Sequence, residues 1–264
     1  MALHFRTKVP IMADDSVPEG LVERFALNGV ELVAERFSAR KATTRVFVLV
    51  HGIGMGRTVF RSLTDLLLDH GSVITIDQPG YGEAPEPDHT PTMEETADLI
   101  AAYLRSRGIP PVVLIGHSMG TQVVTEVAAR HPSTVKRLVV IAPTVDVHAR
   151  RASTQIWRLT RDLLGENPVV LYRGGREYLR AGPHLLRKMR VMLDHRPELA
   201  YPRVNAPTLV LRGEHDPVAP VSWCRSVTEA LPNSQFEEIP DHGHESMIRN
   251  AEDAARLILR FVSE

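Results

Sequence analysis

The stretch VVLIGHSMG, residues 112–120, decides how this chain is read. Residues 112–116 form an apolar run suited to a strand buried on both faces of a parallel sheet. Residues 119–130 then carry a helical pattern. Between them, Gly116-His117-Ser118-Met119-Gly120 fits G-x-S-x-G in the setting that gives the pattern meaning, a sharp strand-to-helix turn. Glycines on either side of the serine leave room for a strained backbone and for close neighbours. The serine hydroxyl would stand at the C-terminal edge of the sheet. The helix N-terminus beneath it would add free N–H groups and a positive dipole.

Further apolar runs lie on both sides of this turn. Residues 22–27 and 30–37 read as two strands joined by Asn28-Gly29, a pair suited to the φ > 0 positions of a tight hairpin. Residues 46–50 (VFVLV), 73–77 (VITID), 138–142, 208–212 and 236–239 read as further strands. Helical patterns fall at 58–70, 92–107, 119–130 and 251–262. The second of these opens with Thr92-x-x-Glu95, a capping-box pattern, and keeps Met93, Ala97, Ile100, Ala101 and Leu104 on one face. Strands alternating with helices predict an α/β fold with right-handed crossovers and helices on both faces. Residues 143–207 break the alternation, with helical patterns and no convincing strand. A structureless loop of that length is unusual, so a helical insertion is expected.

Composition narrows the function. The chain has 264 residues, 43% hydrophobic and 24% charged, enough to bury a core. Its 31 Lys and Arg against 32 Asp and Glu argue against a general nucleic-acid binder, which needs a basic surplus. A single cysteine, Cys224, excludes an internal disulfide framework and reads as a packing residue. The first fifteen residues lack the apolar segment of a signal peptide. No run approaches the ~18 apolar residues of a membrane span. A cytoplasmic protein without a transmembrane segment is expected. The near-neutral total hides a split. Residues 150–203 carry eleven Arg and one Lys against five Asp and Glu, a net of +7, which leaves −8 elsewhere. The bias of 27 Arg to 4 Lys reads first as the codon usage of a GC-rich genome. The cluster's placement admits two readings: a solvated helical face, or attraction of an anionic substrate or partner.

A serine hydroxyl is a weak nucleophile unless a base takes its proton, and that base is commonly a histidine held by a carboxylate. Two later segments offer both groups. Glu214-His215-Asp216-Pro217-Val218 follows the strand TLVLRG, and Asp241-His242-Gly243-His244-Glu245 follows FEEIP. Both follow strand C-terminal ends, where open α/β sheets form ligand sites. His242 and His244 compete for the role of base, and Asp146 competes with Asp216. Two closely spaced histidines without further well-placed ligands do not make a zinc site. The glycine-rich HGIGMG (51–56) also suggests a dinucleotide loop. G-x-G-x-x-G fails there, because the third glycine would fall on Arg57 or Val59. Asp77 therefore reads as a strand-end residue supporting the Gly80–Gly82 turn.

Five motifs in order, HGIG (51–54), DQPGYG (77–82), GHSMG (116–120), GEHDPVAP (213–220) and DHGHES (241–246), make the chain resemble the α/β-hydrolase superfamily over residues 22–262. The resemblance implies an α/β-hydrolase fold: a mostly parallel eight-stranded sheet, helices on both faces and an inserted helical cap. It divides the chain into an extension at 1–20, a core at 21–143 and 207–264, and a cap at 144–206. It implies Ser118 as nucleophile, His244 as base and Asp216 as the acid orienting that base. The backbone N–H groups of Ile53 and Met119 would form the oxyanion hole, with His51 bracing the loop. The function implied is a serine hydrolase acting on a carboxylic ester or related acyl compound. Its partner would be a small acyl substrate, anionic if the basic cluster steers it, with no cofactor or metal. The alternatives are a C–C bond hydrolase or thioesterase on the same triad, and a non-catalytic ligand binder on the same fold.

Overall fold

Asn28 and Gly29 both take left-handed backbone angles, φ 52° and 78°, and close the hairpin between β1 (Leu21–Leu27) and β2 (Val30–Phe37). This is the twist that the two-residue turn was expected to supply. The computed structural model describes residues 19–147, 184–244 and 251–264. After the hairpin come β3 (Val46–Val50), α1 (Arg61–Leu67), β4 (Ser72–Asp77), α2 (Met93–Ser106), β5 (Val112–His117) and α3 (Met119–Arg130). Then follow β6 (Val135–Ile141), α4 (His184–Asp194), β7 (Thr208–Gly213), α5 (Val221–Ala230), β8 (Ser234–Ile239) and α6 (Glu252–Ser263).

The eight strands form one sheet in the order β1-β2-β4-β3-β5-β6-β7-β8. β1 and β2 pair antiparallel, as do β2 and β4, and the remaining pairs are parallel. From β3 the chain steps one way to β4, then reverses and steps the other way to β5, β6, β7 and β8. Right-handed crossovers therefore put α1 on one face and α2 and α3 on the other. The packing agrees, with α2 against α3 and α1 against α6. The reversal opens a crevice at the C-terminal ends of β3 and β5, where ligands bind in open α/β sheets. The loop 51–56 and Ser118 leave the sheet at that crevice. The central strands are apolar throughout because both faces are covered: Phe47 to Val50 and Leu114 to Ile115 are fully buried.

Three differences from the sequence expectations have local causes. The helix expected at 58–70 is a 3-10 turn, Arg57–Phe60, followed by α1, which stops at Leu67. The chain must tuck Gly71 against Phe47 and Arg45, where an added Cβ would come within 2.8 Å of the Arg45 carbonyl. β6 starts before residue 138 and ends before Ala142, whose φ of 52° leaves the strand region. α5 was not foreseen. Its buried side is only Trp223, Cys224 and Val227, too narrow a stripe to announce a helix. Cys224 is buried, as a packing residue should be.

Of the residues between β6 and β7, those at 148–183 lie outside the described residues, as do 1–18 of the expected extension. The described part of the insertion holds α4 and two 3-10 turns, Pro197–Leu199 and Tyr201–Arg203. Polar clamps pin it to the sheet edge. Gln122 of α3 donates to the carbonyls of Thr144 (2.9 Å) and Met192 (3.1 Å). Lys188 donates to Gly80 O (2.5 Å) and Glu86 (2.6 Å), with its ammonium 4.3 Å from the centre of the Tyr81 ring. No described helix is long and apolar enough to cross a membrane.

Candidate active site

The backbone at Ser118 has φ 53° and ψ −121°, a region costly for a residue with a Cβ. Close packing holds it there. A Cβ at Gly116 would sit 2.5 Å from the Gly120 carbonyl, and one at Gly120 only 2.3 Å from that of Val50. Both glycines let α3 approach the strands end-on. The Ser118 N–H donates to Ile141 O at 3.0 Å, and its carbonyl accepts from the Thr121 N–H at 2.9 Å.

His244 stands between Ser118 and Asp216. Its Nε2 lies 3.0 Å from Ser118 Oγ and its Nδ1 lies 2.9 Å from Asp216 Oδ2. A carboxylate only accepts, so Nδ1 carries the proton and Nε2 is left to accept from the serine hydroxyl. Asp216 is fixed in turn, because its Oδ1 accepts from the N–H groups of Val218 (2.7 Å) and Ala219 (3.0 Å). Burial pushes the Asp216 carboxyl up, but the His244 ring and these two donors outweigh it and hold it below its ordinary value. All three side chains are largely buried.

His242 turns its Nδ1 to Pro240 O at 2.5 Å. Asp146 is buried, but it is Asp216 that meets the His244 imidazole. Asp77 faces inward. It accepts from the backbone N–H of Arg57 (2.5 Å) and of Glu83 (3.0 Å), and pairs with the Arg57 guanidinium. A carboxylate so occupied is a structural anchor for the 80–82 turn, as the strand-end reading expects. Arg57 also reaches Glu35 (2.9 Å) and Glu83 (3.0 Å), so its charge is met on three sides.

The loop after β3 lies against the strand-to-helix turn at Ser118, the nucleophile elbow of the G-x-S-x-G pattern. A Cβ on Gly52 would come within 3.0 Å of Ser118 Cβ, so only glycine lets the loop approach this closely. His51 braces it from beneath. Its Nε2 accepts from the Gln78 N–H (3.2 Å), its Nδ1 donates to Gly52 O (2.8 Å), and Gln78 Nε2 donates to His51 O (2.7 Å). Ile53 follows in this loop. Met119 is the first residue of α3, where a helix leaves its N–H without an intrahelical acceptor. A small cleft opens beside Met119, lined by Gln78, Tyr81, Met93, Lys188 and Val191 among others.

Sequence reasoning missed Arg212. Its Nη2 donates to Asp216 O (3.0 Å), its Nε donates to Ala219 O (2.9 Å), and Nη1 pairs with Glu238. It thereby ties both ends of the turn that presents the carboxylate. No signal pointed to it, since TLVLRG reads only as a strand.

Residues 47–257 match the alpha/beta hydrolase family, and the chain belongs to it. It is 26% identical over 239 residues to the pyrrolizixenacetamide deacetylase of Xenorhabdus hominickii, covering 81% of this chain and 90% of that protein. It is 25% identical over 238 residues to the pimeloyl-[acyl-carrier protein] methyl ester esterase of Chromobacterium violaceum, covering 80% and 91%. A thermophilic esterase from Thermogutta terrifontis has a similar fold, with a TM-score of 0.77 and 24% identity over 92% of this chain and 98% of that one.

Proposed function

We propose that this hydrolase cleaves a carboxylic ester, or a related acyl compound, through an acyl-enzyme on Ser118. The observation that carries the reading is the position of His244, within hydrogen-bond reach of both Ser118 Oγ and Asp216. Ser118 Oγ attacks the carbonyl carbon while its proton passes to His244 Nε2. Asp216 keeps the ring in the required tautomer and faces the imidazolium that forms. The carbonyl oxygen, now carrying the charge, is met by the N–H groups of Ile53 and Met119. As the C–O bond breaks, His244 returns the proton to the leaving alcohol. Water then attacks the acyl-enzyme with His244 again as base, and the Ser118–acyl bond breaks to give the acid.

The core would comprise 21–143 and 207–264, with 144–206 as a cap whose α4 walls the cleft beside Met119. The methyl ester esterase among the relatives is consistent with ester chemistry. A fluorophosphonate probe and p-nitrophenyl acetate test the reading together. Wild type should be labelled and should turn over, and Ser118→Ala should do neither above background. Equal labelling and turnover in the two proteins would overturn it.

A further inference from the structure

His117 is fully buried one residue before the nucleophile, and the acyl-transfer chemistry gives it no role. Its Nε2 lies 2.9 Å from the His244 carbonyl oxygen. A carbonyl can only accept, so Nε2 carries the proton and Nδ1 is bare. That Nδ1 has no hydrogen-bond partner among the described residues, and a Cβ on Gly52 would lie 3.4 Å from it. Burying an imidazole with one nitrogen unmet is costly, and an aliphatic side chain in the same space would avoid the cost. What the imidazole supplies in return is its single bond to the main chain of His244. The two rings sit 5.0 Å apart, centre to centre.

That bond falls where the loop needs it. The loop after β8 is held at 241 and 242 by the β7 end: His215 N donates to His242 O (2.9 Å), and Asp241 N donates to Glu214 (3.2 Å). His117 grips the main chain of residue 244 itself, from the last position of β5. One side chain thus links the elbow that carries the serine to the loop that carries the imidazole.

We propose that His117 is a positioning residue, whose Nε2–H bond to the His244 carbonyl sets the approach of His244 Nε2 to Ser118 Oγ. This rests on the acyl-transfer reading. Burial and the neighbouring His244 hold the His117 imidazole down to about 3, so its donor does not titrate in the working range. A misplacement of about 1 Å costs on the order of a hundredfold in such constellations.

The test compares His117→Leu, which removes the donor, with His117→Gln, which keeps a side-chain N–H. The readouts are kcat and KM for p-nitrophenyl acetate, the rate of fluorophosphonate labelling, and the melting temperature. His117→Leu should lower kcat and the labelling rate together by about 10- to 100-fold with KM little changed, and His117→Gln should recover most of the loss. Wild-type kcat in folded His117→Leu, or no advantage of His117→Gln over it, overturns the proposal. Should the leucine variant not fold, nitrogen NMR of the wild-type imidazole decides. The proton must be on Nε2 between pH 5 and 8, and a proton on Nδ1 overturns the proposal. Ser118→Ala run alongside separates the two readings, because turnover that survives it defeats the acyl-transfer chemistry whatever His117 does.

Discussion

Gly213 lies directly beneath the loop that carries His244: a Cβ at 213 would fall 2.1 Å from the Gly243 carbonyl and 2.4 Å from that of His242. The contact is with backbone, which cannot swing aside as a side-chain tip can. β7 ends at Gly213 paired with Ile239, so the strand cannot retreat without breaking its ladder. Gly213→Ala should therefore push the loop outward. We expect a fall in kcat of about a hundredfold from the displaced imidazole. Overpacking should cost about 1–3 kcal/mol of stability. Kinetics on p-nitrophenyl acetate and urea unfolding of the same preparation check both. Wild-type kcat would show that the loop tolerates the shift.

Asp216 and Asp146 are both buried, and it is the Asp216 carboxylate that lies 2.9 Å from His244 Nδ1. Asp216→Asn keeps the shape and offers the ring an amide that favours the wrong tautomer. By analogy with the serine protease triad, kcat should fall by about 10⁴. Asp146→Asn should leave kcat within about tenfold of wild type, since the Asp216–His244 contact stays in place. The reverse ranking in steady-state kinetics would move the acid to the β6 end.

Much of this was legible in the sequence because the signals are local. The hairpin follows from Asn28-Gly29. The N-terminus of α2 follows from Thr92 and Glu95, whose reciprocal capping bonds are both present. The central strands follow from apolar runs that only a sheet covered on both faces can bury. Ser118 stood out in its strand-to-helix turn, whereas Asp216 and His244 were separated from Asp146 and His242 only by the resemblance of their motifs to the α/β-hydrolase pattern. What stayed hidden depends on distance along the chain. Arg212 acts through carbonyls that come near only when the 216–219 turn folds back. His117 meets His244 across 127 positions. α5 shows too narrow an apolar stripe to be read.

The basic surplus at 150–203 makes a separate prediction. Seven of its twelve cations lie outside the described residues. Of the others, Lys188 meets Glu86, and Arg190 lies 3.5 Å from Asp194. Lys188 is buried in its pair and Arg190 is exposed beside a carboxylate, so steering would have to come from the remaining arginines. If it operates, reversing three or four of those arginines to glutamate lowers kcat/KM for anionic esters, more at low salt than at high salt. Neutral esters should be unaffected. Equal loss on both substrate types would remove electrostatic steering.

Two buried imidazoles beside the site should govern acid stability. Burial holds His117 down to about 3, and burial likewise lowers His51. Both are neutral in the fold, whereas the unfolded chain protonates them below their ordinary value of 6.5. Between that value and the folded one, the unfolded state binds more protons, so stability falls as pH falls. Each such group contributes a slope of about 1.4 kcal/mol per pH unit in that window. Asp216 acts in the same sense at lower pH. Its folded value is depressed, so its contribution is present above 3.8 and lost as pH drops through the folded value. Urea unfolding from pH 7 to 4 should show the slope, and His117→Gln should reduce it by about one such increment. An unchanged slope in that variant would mean that His117 takes up its proton without unfolding the chain.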